Sequence, residues 1–425
     1  MPHLNKTQKS LITVHMLRLV LELFTSTFLT SHIVSLNPDN MLGAGLFNIG
    51  IFYISEFLVY EFFYLIVSYF VDKSDRVGFL RFGIFVNVFL LVAIVFWGEQ
   101  ISSWIVLAGA LVGFSDAFYY SSYLVMKTEL TNRGNIKNFN IHTTIITNLI
   151  KIIVPTVLGF LIDISSYSNI AIYVIILSLV QFAFSFLVKS HRPENSKFEL
   201  KPYFNYLKQT PDVRKKIKYT YFNAAFVGPK STYKIIVVVL TIYTFKTNLS
   251  LGLFTSIFSI VTMLLLMLYK KLDNRPNLKQ TPIYLFIGLL PVIACTIMVI
   301  WLNKTTLIVY NACLTIAIYF SEYFGSAERD AIIKNVGKYE YIAEHQFLIE
   351  SIQNLSRIVA YALFVVIGLL SSMFAFKVLL MVLILANPIK YLIMNKQRKI
   401  RREYEVLNAE KAAEKSNVQA KPANV

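Results

Sequence analysis

Apolar residues run along this chain in blocks of twenty or so, separated by short clusters of charged, Pro, Gly or Asn positions. At roughly 1.5 Å of rise per residue, a helical block of that length covers a hydrocarbon core of about 30 Å. The pattern predicts twelve membrane spans: 11–36, 43–71, 79–98, 101–126, 141–163 and 168–188, then 219–245, 249–269, 282–302, 305–327, 343–370 and 372–394. The first block follows Lys6 and Lys9 as a signal peptide would. It continues through Arg18 and Glu22 without a small-residue cleavage site, so it is expected to stay as the first span. An even number of spans puts both termini on one side.

Lys and Arg then choose the side. Alternate loops carry Lys73, Arg76 and Arg81; Lys127, Arg133 and Lys137; a central run from Lys189 to Lys218; Lys270, Lys271, Arg275 and Lys279; and Arg329, Lys334 and Lys338. The opposite loops have only Lys246 and Lys304. By the positive-inside rule the first set is cytoplasmic, as are Lys6, Lys9 and the tail cluster Lys396, Arg398, Lys399, Arg401 and Arg402. The expected location is a plasma membrane, crossed many times, with N- and C-termini in the cytoplasm.

Composition agrees with the lipid as main solvent: 56% of the 425 residues are hydrophobic and 15% charged, with 34 Phe and 25 Tyr. The net charge of +17 is spread between apolar blocks instead of forming one basic patch, which argues against nucleic acid as a partner. Cys295 and Cys313 have no CxxC or metal-ligand spacing, and the six histidines are scattered. No cofactor and no metal site is implied. The chain is predicted to fold as an all-α polytopic protein with an N-terminal six-helix bundle (1–188), a basic cytoplasmic linker (189–218), a C-terminal six-helix bundle (219–395) and a basic cytoplasmic tail (396–425).

A repeat joins the two bundles. Phe114-Ser115-Asp116-Ala117-Phe118 in the fourth span matches Phe320-Ser321-Glu322-Tyr323-Phe324 in the tenth. Asn148-Leu149-Ile150-Lys151-Ile152 in the fifth span matches Asn354-Leu355-Ser356-Arg357-Ile358 in the eleventh. Both matches are 206 positions apart (114 to 320, 148 to 354), and an acid precedes a base by 35 positions in each half (116 to 151, 322 to 357). One offset with charge sign kept at both places indicates duplicated halves.

With six plus six spans, a basic central loop and a short charged turn after the second span, the chain resembles the major facilitator superfamily over nearly its whole length. That family's turn reads Gly-x-x-x-Asp-Arg/Lys-x-Gly-Arg-Arg/Lys. Asp75, Arg76 and Gly78 match it and Arg81 is a nearby base, whereas Val71, Phe79 and Leu80 depart from it. Leu272-Asp273-Asn274-Arg275 looks like the counterpart in the second half. The resemblance implies a gating role for Asp75, Arg76, Gly78, Asp273 and Arg275. Of the family's exporter-associated glycine run on the fifth helix only Pro155 and Gly159 are present, which leaves the direction of transport open.

Ionisable residues inside the spans are the candidate chemistry: Arg18, Lys151, Lys230, Lys234, Arg357 and Lys377, against Glu22, Glu56, Glu61, Asp116, Glu322 and Glu350. Each would cost about 2.5–3.5 kcal/mol facing lipid at a helix centre, so they are expected to face a cavity or a partner. Lys377 lies near enough to a membrane surface to snorkel. Asp116 and Lys151 reach the bilayer middle and are predicted to pair, with Glu322 and Arg357 as the equivalent pair in the second half. Such pairs could equally serve only to lock helices together. Glu350, Asn354 and Arg357 share a stripe of the eleventh span, and Thr144, Asn148 and Lys151 one of the fifth. His15, Arg18 and Glu22 share a stripe of the first, with His15 read as a packing residue. Gly228-Pro229 predicts a kink or an unwound stretch beside Lys230 and Lys234.

Glu22, Glu56, Glu61 and Asp116 are then candidates for carrying coupling protons, and the bases of the second half for holding an anionic group. The function expected is secondary active transport of a small organic, anionic or amphipathic solute by alternating access, driven by protons. Two other readings stand beside it: a flippase or exporter of a lipid-linked or amphipathic molecule, and an integral membrane enzyme or non-transporting receptor. Without clustered catalytic groups or a Gly-x-x-x-x-Gly-Lys-Ser/Thr phosphate loop, an enzyme or an ATP-driven pump is disfavoured.

Overall fold

A computed structural model of the chain describes residues 5–37, 40–71, 73–130, 136–190, 198–273, 281–336 and 341–419. Among these the secondary structure is helical throughout. The first span is α1 (Lys6–Leu23), a π-helical turn (Phe24–Phe28) and α2 (Leu29–Ser35). Asn5 starts it with a capping box: its side chain accepts from the Gln8 amide at 2.8 Å, and the Gln8 side chain accepts from the Asn5 amide at 3.0 Å. The next five spans are α3 (Leu46–Val71), α4 (Arg76–Trp97), α5 (Ile105–Leu130), α6 (Ile136–Ile164) and α7 (Tyr167–Ser185).

Two amphipathic helices, α8 (Leu200–Gln209) and α9 (Pro211–Ala225), follow. The helix leading into the seventh span therefore begins inside the stretch read as linker. Then come α10 (Val227–Phe245), α11 (Asn248–Asp273), α12 (Thr281–Ile300), α13 (Lys304–Val336), α14 (Ile342–Leu370), α15 (Met373–Ile384) and α16 (Ala386–Gln419). The last two form the twelfth span, and α16 runs on through most of the basic tail. The third and fourth spans join through a short 3-10 segment, Gly98–Trp104, so among the described residues eleven helical stretches of membrane length hold twelve crossings.

Large apolar side chains on the outside identify the solvent. Phe96 is 88% exposed, and Phe62, Phe89, Phe160, Phe286 and Phe374 also face outward. In water such a surface would aggregate; in lipid it is the contact surface.

The halves meet along two helix pairs, α3 with α14 and α6 with α11. Glycine sets both approaches. A Cβ on Gly252 of α11 would lie 2.2 Å from the Pro155 carbonyl oxygen of α6, and one on Gly159 of α6 would lie 2.4 Å from the Asn248 carbonyl oxygen of α11. Backbone rests on backbone there, as small residues allow in membranes. A Cβ on Gly368 of α14 would lie 2.6 Å from the Phe47 amide nitrogen of α3. These contacts cluster at the end of the bundle opposite the termini, here the distal end. Asp163, at the distal end of α6, adds a cap across the interface: its carboxylate accepts from the Asn248 amide at 2.9 Å, the Asn248 side chain at 3.0 Å and the Leu249 amide at 2.8 Å. Ser31 of α2 donates to the Asn248 side-chain oxygen at 2.6 Å.

Candidate functional site

Between the halves lies a cavity of ≈ 640 Å³ lined from α1, α3, α5, α6, α10, α11, α13 and α14, with none of its lining residues on α4, α7, α12, α15 or α16. Those last helices stand outside and support the lining ones. Glu22, Glu56, Asp116, Lys151, Lys234, Glu322, Glu350 and Arg357 all line it, which explains how so many charges are tolerated at membrane depth.

The pairing differs from the one read from the repeat. Asp116 contacts Arg18 of α1, and Lys151 contacts Glu322. Arg18, only 2% exposed, also bonds Glu22 through Nε at 3.2 Å, and the Tyr120 hydroxyl donates to the same carboxylate. One guanidinium thus serves two acids. The predicted Asp116–Lys151 pair does not form: Arg18 holds Asp116, and Lys151 reaches Glu322 instead.

Glu322 does not pair with Arg357 either. Its Oε1 lies 2.7 Å from Lys230 Nζ and 3.0 Å from Lys234 Nζ, and its Oε2 lies 3.4 Å from Lys151 Nζ. Three cations from α6 and α10 surround one carboxylate on α13. The Lys151 ammonium also lies 5.0 Å from the centroid of the Tyr319 ring. Arg357 instead donates to Asn354 Oδ1 at 2.8 Å and to Gln353 Oε1 at 3.5 Å, and its guanidinium carbon stands 4.9 Å from the Phe57 ring centroid. Asn354 in turn donates to Glu61 across the interface at 2.9 Å. Glu350 accepts from Gln346 at 3.1 Å.

Local sequence explains the lysine cluster. Pro229 lacks an N–H, so the carbonyl of Ala225, four residues earlier, loses its helical partner. The helix breaks at Phe226, and Ser356 of α14 repairs it, donating to the Ala225 carbonyl at 2.5 Å and accepting from the Gly228 amide at 2.9 Å. Gly228 is needed for that approach, since a Cβ there would lie 2.1 Å from the Ser356 carbonyl oxygen. The break sits one turn before Lys230 and aims both lysines at Glu322.

Lys390 of α16 was missed by the sequence reading. It is 5% exposed, and its ammonium lies 3.2 Å from Ser321 Oγ, beside Glu322. Its place near the end of the last span is where a lysine ordinarily snorkels, so position alone gave no signal.

The turn after α3 carries the charged motif. Asp75 caps α4 by accepting from the Val77 amide at 3.1 Å, Arg76 is fully buried, and a Cβ on Gly78 would meet no neighbour within 4 Å. Arg81 reaches carbonyls at and just beyond the end of α7, with Nη2 3.2 Å from the Val188 oxygen and 3.4 Å from that of Ser185. Asp273 ends α11; its side chain and Arg275 lie outside the described residues, as does the side chain of Thr144. His15 is packed against Tyr123, with ring centroids 4.0 Å apart.

Twelve crossings in two halves around one charged central cavity form a membrane transporter architecture. The chain belongs to the major facilitator superfamily, whose family model matches residues 19–360. Among curated proteins, the uncharacterized protein YqgE of Bacillus subtilis (strain 168) is 33% identical over 116 residues, a match covering 27% of this chain and 26% of that relative. Solved structures share the fold at low identity. A bacterial homologue of the iron transporter ferroportin in an inward-facing state superposes with a TM-score of 0.68 at 13% identity, covering 92% of this chain and 98% of that one. A bacterial metal transporter gives 0.62 at 15%, covering 93% and 99%. The peptide transporter POT in complex with sulfate gives 0.64 at 11%, covering 92% and 95%.

Proposed function

We propose that this transporter carries a small organic anion by alternating access, coupled to protons, with both termini in the cytoplasm of a plasma membrane. The observation supporting the substrate class is the cluster at Glu322. Lys151, Lys230 and Lys234 bring three positive charges to one carboxylate, an excess that an incoming anionic group would balance. Two of the lysines and the glutamate line the cavity directly. Substrate binding there would loosen Glu322 from its lysines and so bias the contact between α6 of one half and α13 of the other.

The opposite wall supports proton coupling. Glu22 and Asp116 share Arg18, so two carboxylates compete for one base, and a proton on either relieves their repulsion. The basic loops and the tail support cytoplasmic termini. Proteoliposomes holding the purified chain, screened with labelled organic acids under an imposed pH gradient, test the reading. Gradient-dependent accumulation of an acid that is lost in Lys151→Ala and Lys234→Ala supports it. Uptake confined to neutral or cationic solutes, or indifferent to the gradient, overturns it.

A further inference from the structure

Glu56 stands apart from the other cavity acids. Glu22 and Asp116 share Arg18, Glu322 has its lysines and Glu350 has Gln346. Glu56 is 8% exposed, lines the cavity, and has no hydrogen-bond or ion-pair partner among the described residues. Behind it α5 presses on the backbone of α3: a Cβ on Gly113 would lie 2.0 Å from the Glu56 carbonyl oxygen, and one on Gly109 2.2 Å from that of Phe52. The cavity is therefore the side from which a partner reaches this carboxylate.

Aromatic rings surround the same place. Tyr53 and Phe57 flank Glu56 on α3, and Tyr361 of α14 stacks on Tyr53 at 4.5 Å between centroids and faces Phe57 at 5.9 Å. All three rings line the cavity. The Phe57 face already carries a cation, the Arg357 guanidinium at 4.9 Å. Arg357 is bonded to Asn354 and Gln353, and Arg18 to Asp116 and Glu22, so each neighbouring base is engaged elsewhere. An unpartnered carboxylate among aromatic faces is what an organic ammonium needs: a counter-charge on one side and π surface on the others. A hard metal cation would require several oxygen ligands.

We infer that Glu56, Tyr53, Phe57 and Tyr361 form a seat for the ammonium group of the solute, so that the substrate is a zwitterion whose acidic end lies at the lysines around Glu322. The inference rests on the anion seat proposed above and removes Glu56 from the proton-coupling acids, leaving that role to Glu22 and Asp116.

Binding to the full chain in lipid nanodiscs, read by titration calorimetry, tests it. The probes are 4-aminobutyrate, 6-aminohexanoate, 8-aminooctanoate and 4-(aminomethyl)benzoate, each with its N-acetyl derivative, which keeps the acid and loses the ammonium. At least one zwitterion is expected to bind about tenfold or more tightly than its N-acetyl partner. In Glu56→Gln that preference should shrink to near unity while binding of the N-acetyl acid persists, and Phe57→Leu should reduce it about threefold or more. Equal binding of both members of every pair by wild type overturns the ammonium seat and leaves the anion seat standing. A preference that survives in Glu56→Gln overturns it as well. If the N-acetyl acids bind undiminished in Lys151→Ala and Lys234→Ala, the anion seat itself fails. Binding of no acid in the series overturns both.

Discussion

Lys151 on α6 and Glu322 on α13 lie 3.4 Å apart although 171 residues separate them, and they join the first half of the chain to the second. Since Glu322 also holds Lys230 and Lys234, the two partners are not equivalent. Glu322→Gln leaves three ammonium groups facing one another and should lower the thermal midpoint sharply, by an amount matching about 3–5 kcal/mol lessened by water in the cavity. Lys151→Ala leaves the carboxylate paired and should cost much less. In the Glu322→Gln background, Lys151→Ala should recover part of the lost stability. Additive losses in thermal unfolding of the double variant would count against the contact.

Arg18 neutralises Asp116 and Glu22 together, so Arg18→Gln should be among the most damaging substitutions in the first half, costing about 3–5 kcal/mol. Adding Asp116→Asn to Arg18→Gln should restore much of the folded yield. Failure of that rescue, judged by monodisperse protein after extraction, would break the proposed dependence.

Asp116→Asn and Glu22→Gln hold each acid neutral with little change of shape. Either should abolish pH-gradient-driven accumulation while leaving exchange of labelled for unlabelled substrate measurable. Accumulation at the wild-type level in both variants would place coupling elsewhere or remove it.

Ser356 and Gly228 together repair the helix break before Lys230. Ser356→Ala should cost about 1 kcal/mol, chiefly by leaving the amide of buried Gly228 without a partner, since the Ala225 carbonyl lies at an exposed position. Gly228→Ala should cost at least as much, because its Cβ would meet the Ser356 carbonyl oxygen at 2.1 Å. Thermal unfolding within error of wild type for both would contradict the repair.

Asp163 closes the distal interface by capping α11 with three hydrogen bonds from the opposite half. Asp163→Ala should weaken that closure. A cysteine replacing Ser26, which lines the cavity, should then be labelled several-fold faster by a membrane-impermeant maleimide added from the distal side. Unchanged labelling would show that the glycine contacts alone hold the interface.

What the chain determined by itself was whatever depends on one helix at a time. Apolar length set the crossings, because each span must satisfy its own backbone and cover the same hydrocarbon thickness. The cost of charge in lipid marked Glu22, Glu56, Asp116, Lys151, Lys234, Glu322, Glu350 and Arg357 as inward-facing, and all of them line one cavity. The 206-position offset shared by Asp116 with Glu322 and Asn148 with Asn354 is what points to duplicated halves. Partnership between helices was not legible, since spacing along a chain carries no information on which of several equally deep bases reaches a given acid. The repeat argued for Asp116 with Lys151 and Glu322 with Arg357; packing placed Arg18 on the first acid and carried Lys151 across to the second. Backbone-to-backbone glycine contacts and the Ser356 repair of the Pro229 break belong to the same level of information, because how closely and at what rotation helices meet is set between helices and not within one. Lys390 stayed hidden for the same reason: a lysine near the end of a span is free to snorkel unless its helix is turned inward, and only the packing of α16 against α13 turns it toward Ser321.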